Sequence, residues 1–180
     1  HFDFDSSFDC QNLVHKLNSY LPKDIAVFSI IPVQDDSHTR FDALKRTYEY
    51  HINTFKDVFS QDLSWYFHQD LDLDLMNQAA KLLFNHTNFQ CFSKVKTNVH
   101  TFNCNIFEAF WVQNGNELTF TISANRFLRN MVRAIVGTLI YVGLDKISID
   151  DFRKIIESKN RSNAGLSVPA KGLFLTNIKY

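Results

Sequence analysis

The stretch FNCNIFEAFWVQNGNELTFTIS, residues 102–123, decides the fold class. Phe102–Val112 and Glu117–Ser123 are rich in β-branched and aromatic side chains, and Gln113-Asn114-Gly115-Asn116 joins them. Asn-Gly between alternating segments is the strongest short-range hairpin signal, because the tight turn that matches strand twist needs positive φ at its centre. In the second segment Leu118, Phe120 and Ile122 alternate with Thr119, Thr121 and Ser123, so one face of the hairpin is polar and the other apolar.

Downstream, Asn125 is placed to cap a helix from about Arg126 to Val142, with Gly143 at its C′ position. Ser148 to Asp151 resembles a capping box that opens a last helix, and Leu173 to Tyr180 closes the chain as a strand. Upstream, Leu71 to Phe84 reads as a helix with Leu73, Met76, Ala80 and Leu83 on its buried stripe and Asp70 or Asp72 near its start. Arg40 to Ile52 is an extended region, with Arg46, Tyr48, Tyr50 and Ile52 on one face. The dense β-branched run Ile25–Val33 predicts a buried strand, and Phe8 to Tyr20 an amphipathic helix broken at Leu21-Pro22. With no repeat and no linker, this order suggests one α+β domain over residues 1–180, a mainly antiparallel sheet with helices packed on one face.

Composition bounds the rest. The 180 residues are 45% hydrophobic, with Lys+Arg 19 against Asp+Glu 19, which excludes a disordered chain and a generic polyanion binder. No stretch approaches the roughly 20 apolar residues of a membrane helix. Cys10, Cys91 and Cys104 are odd in number and irregularly spaced, which argues for a reducing, cytoplasmic setting rather than a disulfide framework. Nothing at the start resembles a secretory signal, and the chain opens His1-Phe2-Asp3-Phe4 without Met, as if cut from a longer protein. The seven histidines lack ligand spacing and Asp70, Asp72 and Asp74 suit a helix start, so no metal is expected. Phosphate loops, dinucleotide fingerprints and hydrolase elbows are missing too.

Two constellations go beyond core patterning. At helical spacing Arg126, Arg129 and Arg133 share a narrow sector opposite Leu128, Val132, Ile135 and Leu139, with Gly137 one turn beyond Arg133. That stripe either faces an anion or is merely solvated. Mid-helix glycine is about 1 kcal/mol worse than alanine, so Gly137 implies close approach by another backbone or a ligand. Arg46-Thr47-Tyr48-Glu49-Tyr50 could grip a phosphate and stack on a base, or could be a half-buried sheet face. His38-Thr39-Arg40 is a weaker version of the same idea.

These residues also carry a resemblance. Leu21-Pro-Lys-Asp-Ile-Ala-Val27, His38-Thr-Arg-Phe-Asp-Ala43 with Arg46-Thr-Tyr-Glu-Tyr50, Asn88-Phe-Gln-Cys-Phe92, Phe127-Leu-Arg-Asn-Met-Val-Arg-Ala-Ile-Val-Gly137 and Pro169-Ala-Lys-Gly-Leu-Phe-Leu175 are similar to blocks of the tRNA pseudouridine synthase A family. The resemblance runs from that family's middle to its end. It implies the pseudouridine synthase fold and a cofactor-free isomerase that converts uridine to pseudouridine at positions 38–40 of the tRNA anticodon stem-loop. It implies that Tyr48 stacks on the target base and that Arg133 pairs with the catalytic aspartate and helps hold the flipped nucleotide. His38, Arg40, Arg46, Lys94, Arg126 and Arg129 are the expected RNA contacts. The family's nucleophile sits in a G-R-T-D-x-G-V-H motif that these 180 residues lack, so the chain is expected to be inactive alone. Asp3, Asp5 and Asp9 do not replace it. Where the family often carries an arginine this chain has Ser93, followed by Lys94. The family's homodimer implies a subunit interface, for which Phe107–Trp111 is the candidate. A non-catalytic RNA-binding or dimerisation domain is the competing reading.

Overall fold

The computed structural model describes residues 1–4, 7–97 and 99–180; Asp5 therefore lies outside the described residues. The chain divides into two compact units, His1–Asp42 and Ala43–Tyr180.

In the first unit α1 spans Cys10–Tyr20. Asp9 caps it by accepting from the amides of Gln11 (2.9 Å) and Asn12 (3.2 Å), and Leu21-Pro22 ends it. The strand expected at Ile25–Val33 does not form. Instead the Asn18 side chain takes both backbone groups of Val27, at 2.8 and 2.7 Å. A β-branched run becomes a strand only where another backbone pairs with it, and among the described residues none does. Phe28 is 93% exposed. A turn at 37–42 closes this unit, where His38 Nδ1 accepts from the amides of Arg40 and Phe41.

The second unit carries the sheet. Its strands are β1 (Lys45–Asn53), β2 (Trp65–Tyr66), β3 (Ile106–Asn114), β4 (Glu117–Ala124) and β5 (Leu173–Lys179). β1 is central. It pairs antiparallel with β4 along its length and, on its other edge, antiparallel with β5 and over two residues parallel with β2. The expected hairpin is β3–β4, with Gly115 at φ +59 in the turn. One face carries Tyr50, Ile52, Trp111, Leu118, Phe120 and Ile122 into the core, under α2 (Leu73–Lys81), α3 (Met131–Gly143) and α4 (Ile149–Ser158). The opposite face carries polar groups such as His51, which meets Glu117 at 2.6 Å, and Lys45, which meets Glu108 at 2.8 Å. Asp72 caps α2, and Ser148 and Asp151 complete the capping box of α4.

Two expectations about α3 need correction. The helix begins at Met131, not Arg126, because Asn125 is already engaged. Its Oδ1 accepts from the Asn105 amide at 2.8 Å, its own amide donates to the Asn105 carbonyl at 3.2 Å, and its carbonyl accepts from Arg46. Residues 126–128 run on without helix, and Asn130 turns the chain at φ 71. Arg126 and Arg129 therefore do not share a helical stripe with Arg133. Nor is α3 half-solvated: eleven of its residues are buried, leaving Arg133 and Tyr141 outside that set. Gly143 is the last helical residue rather than C′. It lacks a side chain because a Cβ would sit 2.5 Å from Met76 Sδ. In the Phe107–Trp111 stretch, Ala109 and Trp111 belong to the core, while Phe107 and Phe110 are 48% and 42% exposed. Asn77 of α2 takes the outward-facing amide and carbonyl of Trp111 at 2.7 and 3.2 Å, covering that strand edge against further pairing.

Candidate active site

β1 sets two tyrosines on one face. Tyr48 is half-buried, opposite Ile122 on β4 and Leu175 on β5, and its ring meets Phe127 edge to face at 5.1 Å and 85°. An extra residue, Thr176, bulges from β5 at this point, and a bulge increases local twist and re-aims neighbouring side chains. Phe127 stands in the irregular stretch before α3, so the late start of that helix is what brings an aromatic ring to Tyr48. Tyr50 is fully buried, and its hydroxyl donates to the Pro169 carbonyl at 2.8 Å. Burial pushes its phenol far above the usual range, with the nearby Arg133 charge acting the other way. It stays a protonated donor at any physiological pH.

Arg133 is the one cationic side chain of α3. Its Nε donates to the Val168 carbonyl at 2.6 Å while the Val168 amide donates back to the Arg133 carbonyl at 3.2 Å. Among the described residues no carboxylate pairs with its guanidinium. Anchored through Nε, it keeps the edge formed by its two terminal nitrogens for a bidentate acid partner. The carbonyls that hold Arg133 and Tyr50 are consecutive, Val168 and Pro169, in a loop running from Ala164. That loop lies against α3 where side chains are absent: a Cβ on Gly137 would overlap the Leu166 carbonyl oxygen, and one on Gly165 would sit 2.8 Å from the Gly137 oxygen. This is the close backbone approach that a mid-helix glycine implied.

The other basic residues are distributed unevenly. The Lys94 amide donates to the Arg129 carbonyl at 3.0 Å, so these two exposed cations sit side by side just ahead of α3. Ser93, at the family position where the pattern departs, is 3% exposed, while Lys94 beside it is exposed. Arg126 is half-buried near Cys104; burial pushes that thiol up to about 11, with Arg126 acting the other way. Arg46 uses Nη1 to hold the carbonyls of Ala43 (3.0 Å) and Asn125 (2.7 Å), which ties the start of β1 to the end of β4. His38 and Arg40 belong to the first unit, where the His38 ring lies tilted against Phe41, with centroids 4.3 Å apart. Among the described residues no group of three or more His, Cys, Asp or Glu could hold a metal ion.

The site thus gathers a buried tyrosine, an edge-to-face aromatic pair and an arginine anchored through Nε, with two exposed cations just ahead of α3. The family described as tRNA pseudouridine synthase matches residues 79–180, which include α3, the Ala164–Pro169 loop and β5. The chain belongs to the tRNA pseudouridine synthase family. Proteins named tRNA pseudouridine synthase A from Parabacteroides distasonis and Bacteroides fragilis are each 50% identical to it, covering 100% of this chain and 72% of their own length. The protein of that name from Bacillus subtilis is 37% identical over 100% of the chain and 74% of its own length. Motif reading quoted Tyr50 and Phe127 without partners; the fold supplies them, the Pro169 carbonyl for Tyr50 and the Tyr48 ring for Phe127. Arg161 belongs to no quoted motif and is recognisable only by the loop the folded chain places beside it.

Proposed function

We propose that the protein isomerises uridine to pseudouridine at positions 38–40 of the tRNA anticodon stem-loop, without metal or organic cofactor. The observation that carries this reading is Arg133, fixed through Nε, close enough for its charge to act on the Tyr50 phenol, and without a carboxylate partner among the described residues. The nucleophilic aspartate lies outside these 180 residues, in the family's G-R-T-D motif, so this chain alone is inactive. With the aspartate present, Arg133 keeps it ionised and oriented to attack the ribose or the uracil ring. Extruding the target base costs a few kcal/mol, and stacking on Tyr48 returns about 1–3 kcal/mol. The N1–C1′ bond breaks and the C5–C1′ bond forms, the proton on C5 leaves for solvent while N1 takes one up, and the bond made by the aspartate is released as the product forms.

Lys94, Arg126 and Arg129 contact the RNA backbone, joined by His38, Arg40 and Arg46. The enzyme works as a cytoplasmic homodimer with tRNA lying across both subunits, and the exposed Phe107 and Phe110 supply part of the contact. No helix of the described residues is long and apolar enough to cross a membrane.

The test is tritium release from tRNA carrying 5-tritiated uridine. The full-length protein should release tritium, and a tRNA with uridines 38–40 replaced should give none. Release from that replaced tRNA would refute the target. Release catalysed by the 180-residue chain by itself would refute the placement of the nucleophile.

A further inference from the structure

Arg133 points where the Val168 carbonyl directs it, and the loop bearing that carbonyl is held by a residue that belongs to no quoted motif. Arg161, half-buried at the start of a short turn after α4, donates from Nη1 to the carbonyls of Ala164 (3.3 Å) and Gly165 (3.0 Å) and from Nη2 to Ser167 Oγ (2.9 Å). Ser167 Oγ also accepts from Asn130 Nδ2 at 2.6 Å, the residue immediately before α3. The Gly165 amide donates to Thr138 Oγ1 at 2.9 Å, which in turn donates to Ala134. No carboxylate pairs with Arg161 among the described residues. A charged guanidinium here holds only neutral acceptors, all on three residues of one loop.

We propose that Arg161 is a positioning residue for the isomerisation: its planar fork fixes Ala164–Ser167 so that the next carbonyl, Val168, aims Arg133 at the nucleophilic carboxylate. The proposal rests on the role assigned to Arg133. Three acceptors spread over Ala164, Gly165 and Ser167 require donors in a fixed plane, which a lysine ammonium cannot supply. Arg161 makes its contacts behind Val168, so its removal shifts Arg133 without removing a contact to RNA. Misplacing a reacting group by about 1 Å can lower a rate about 100-fold.

The experiment is a double-mutant cycle in the full-length protein, read by single-turnover rate and KM for tRNA, with thermal melting as a check on folding. The variants are Arg161→Lys, Ser167→Ala, Arg133→Ala and the pairs with Arg133→Ala. Arg161→Lys should lower the rate about tenfold or more with KM for tRNA changed less than threefold. In the Arg133→Ala background it should lower the rate no further. A rate for Arg161→Lys within twofold of the parent, or an equal further loss in the Arg133→Ala background, would overturn the proposal. If Arg161→Lys fails to fold, Ser167→Ala carries the same cycle with an expected loss of about threefold, and an undiminished rate overturns the proposal. Retention of the full rate by Arg133→Ala alone would instead sink the role of Arg133.

Discussion

Replacing Gly137 with alanine sets two effects of opposite sign against each other. In an open helix interior the change stabilises by about 1 kcal/mol, since glycine is that much poorer than alanine there. Here the new Cβ overlaps the Leu166 carbonyl oxygen and lies 3.0 Å from its carbon. The obstacle is backbone, which cannot rotate aside as a side chain would, and overpacking a close-fitted site costs about 1–3 kcal/mol. Taking the upper end for a backbone collision, the net is about 2 kcal/mol of destabilisation. For a chain of this size each kcal/mol moves Tm by about 2–4 °C, so the variant should melt roughly 4–8 °C lower. Circular dichroism melts of parent and Gly137→Ala, supported by guanidinium titration, measure it. An unchanged or raised Tm would refute the reasoning, because it would mean that the Ala164–Pro169 loop does not lie against α3 as described.

Arg133→Ala should lower the single-turnover rate of the full-length protein at saturating tRNA, whereas Arg126→Ala should raise KM and reduce the salt slope of log K by about 0.7–0.9 for one phosphate contact; single-turnover kinetics across a salt series separates them. Burial pushes the Cys91 and Cys104 thiols up to about 12 and about 11, so native protein should react rapidly with a thiol reagent at the partly exposed Cys10 alone, and at all three cysteines in guanidinium. The Asp151 carboxyl is held below the usual range by the Ser148 hydroxyl and amide. A lowered folded value means its contribution is complete above the ordinary aspartate value near 4 and is lost as pH falls through the lower one. Asp151→Ala should therefore lower Tm at pH 7, and the gap to the parent should close in acid.

Elements whose stabilising contacts are local in sequence were legible without coordinates. The β3–β4 hairpin follows from Asn114-Gly115 between alternating segments, and the capping box of α4 from Ser148 and Asp151 three residues apart. The glycine in mid-helix likewise announced a close backbone approach. The hairpin and the capping box lie within one element or one turn, where backbone geometry alone converts spacing into position.

The misreadings share the opposite cause. Ile25–Val33 has strand composition but no partner strand, and pairing is a property of two segments. Asn125 looks like a helix cap until Asn105 and Arg46 occupy its groups, and that competition delays α3 and gives Arg126 and Arg129 positions unrelated to the helical stripe. The sequence by itself thus determined the hairpin, the capped starts of α2 and α4, and the family to which the chain belongs. Only the tertiary structure decided that Phe127 would meet Tyr48, that consecutive carbonyls at Val168 and Pro169 would hold Arg133 and Tyr50, and that Arg161 would hold their loop. The contacts of Arg133, Tyr50 and Phe127 join residues 35 to 119 positions apart, and a contact across such distances exists only once the chain has packed its core.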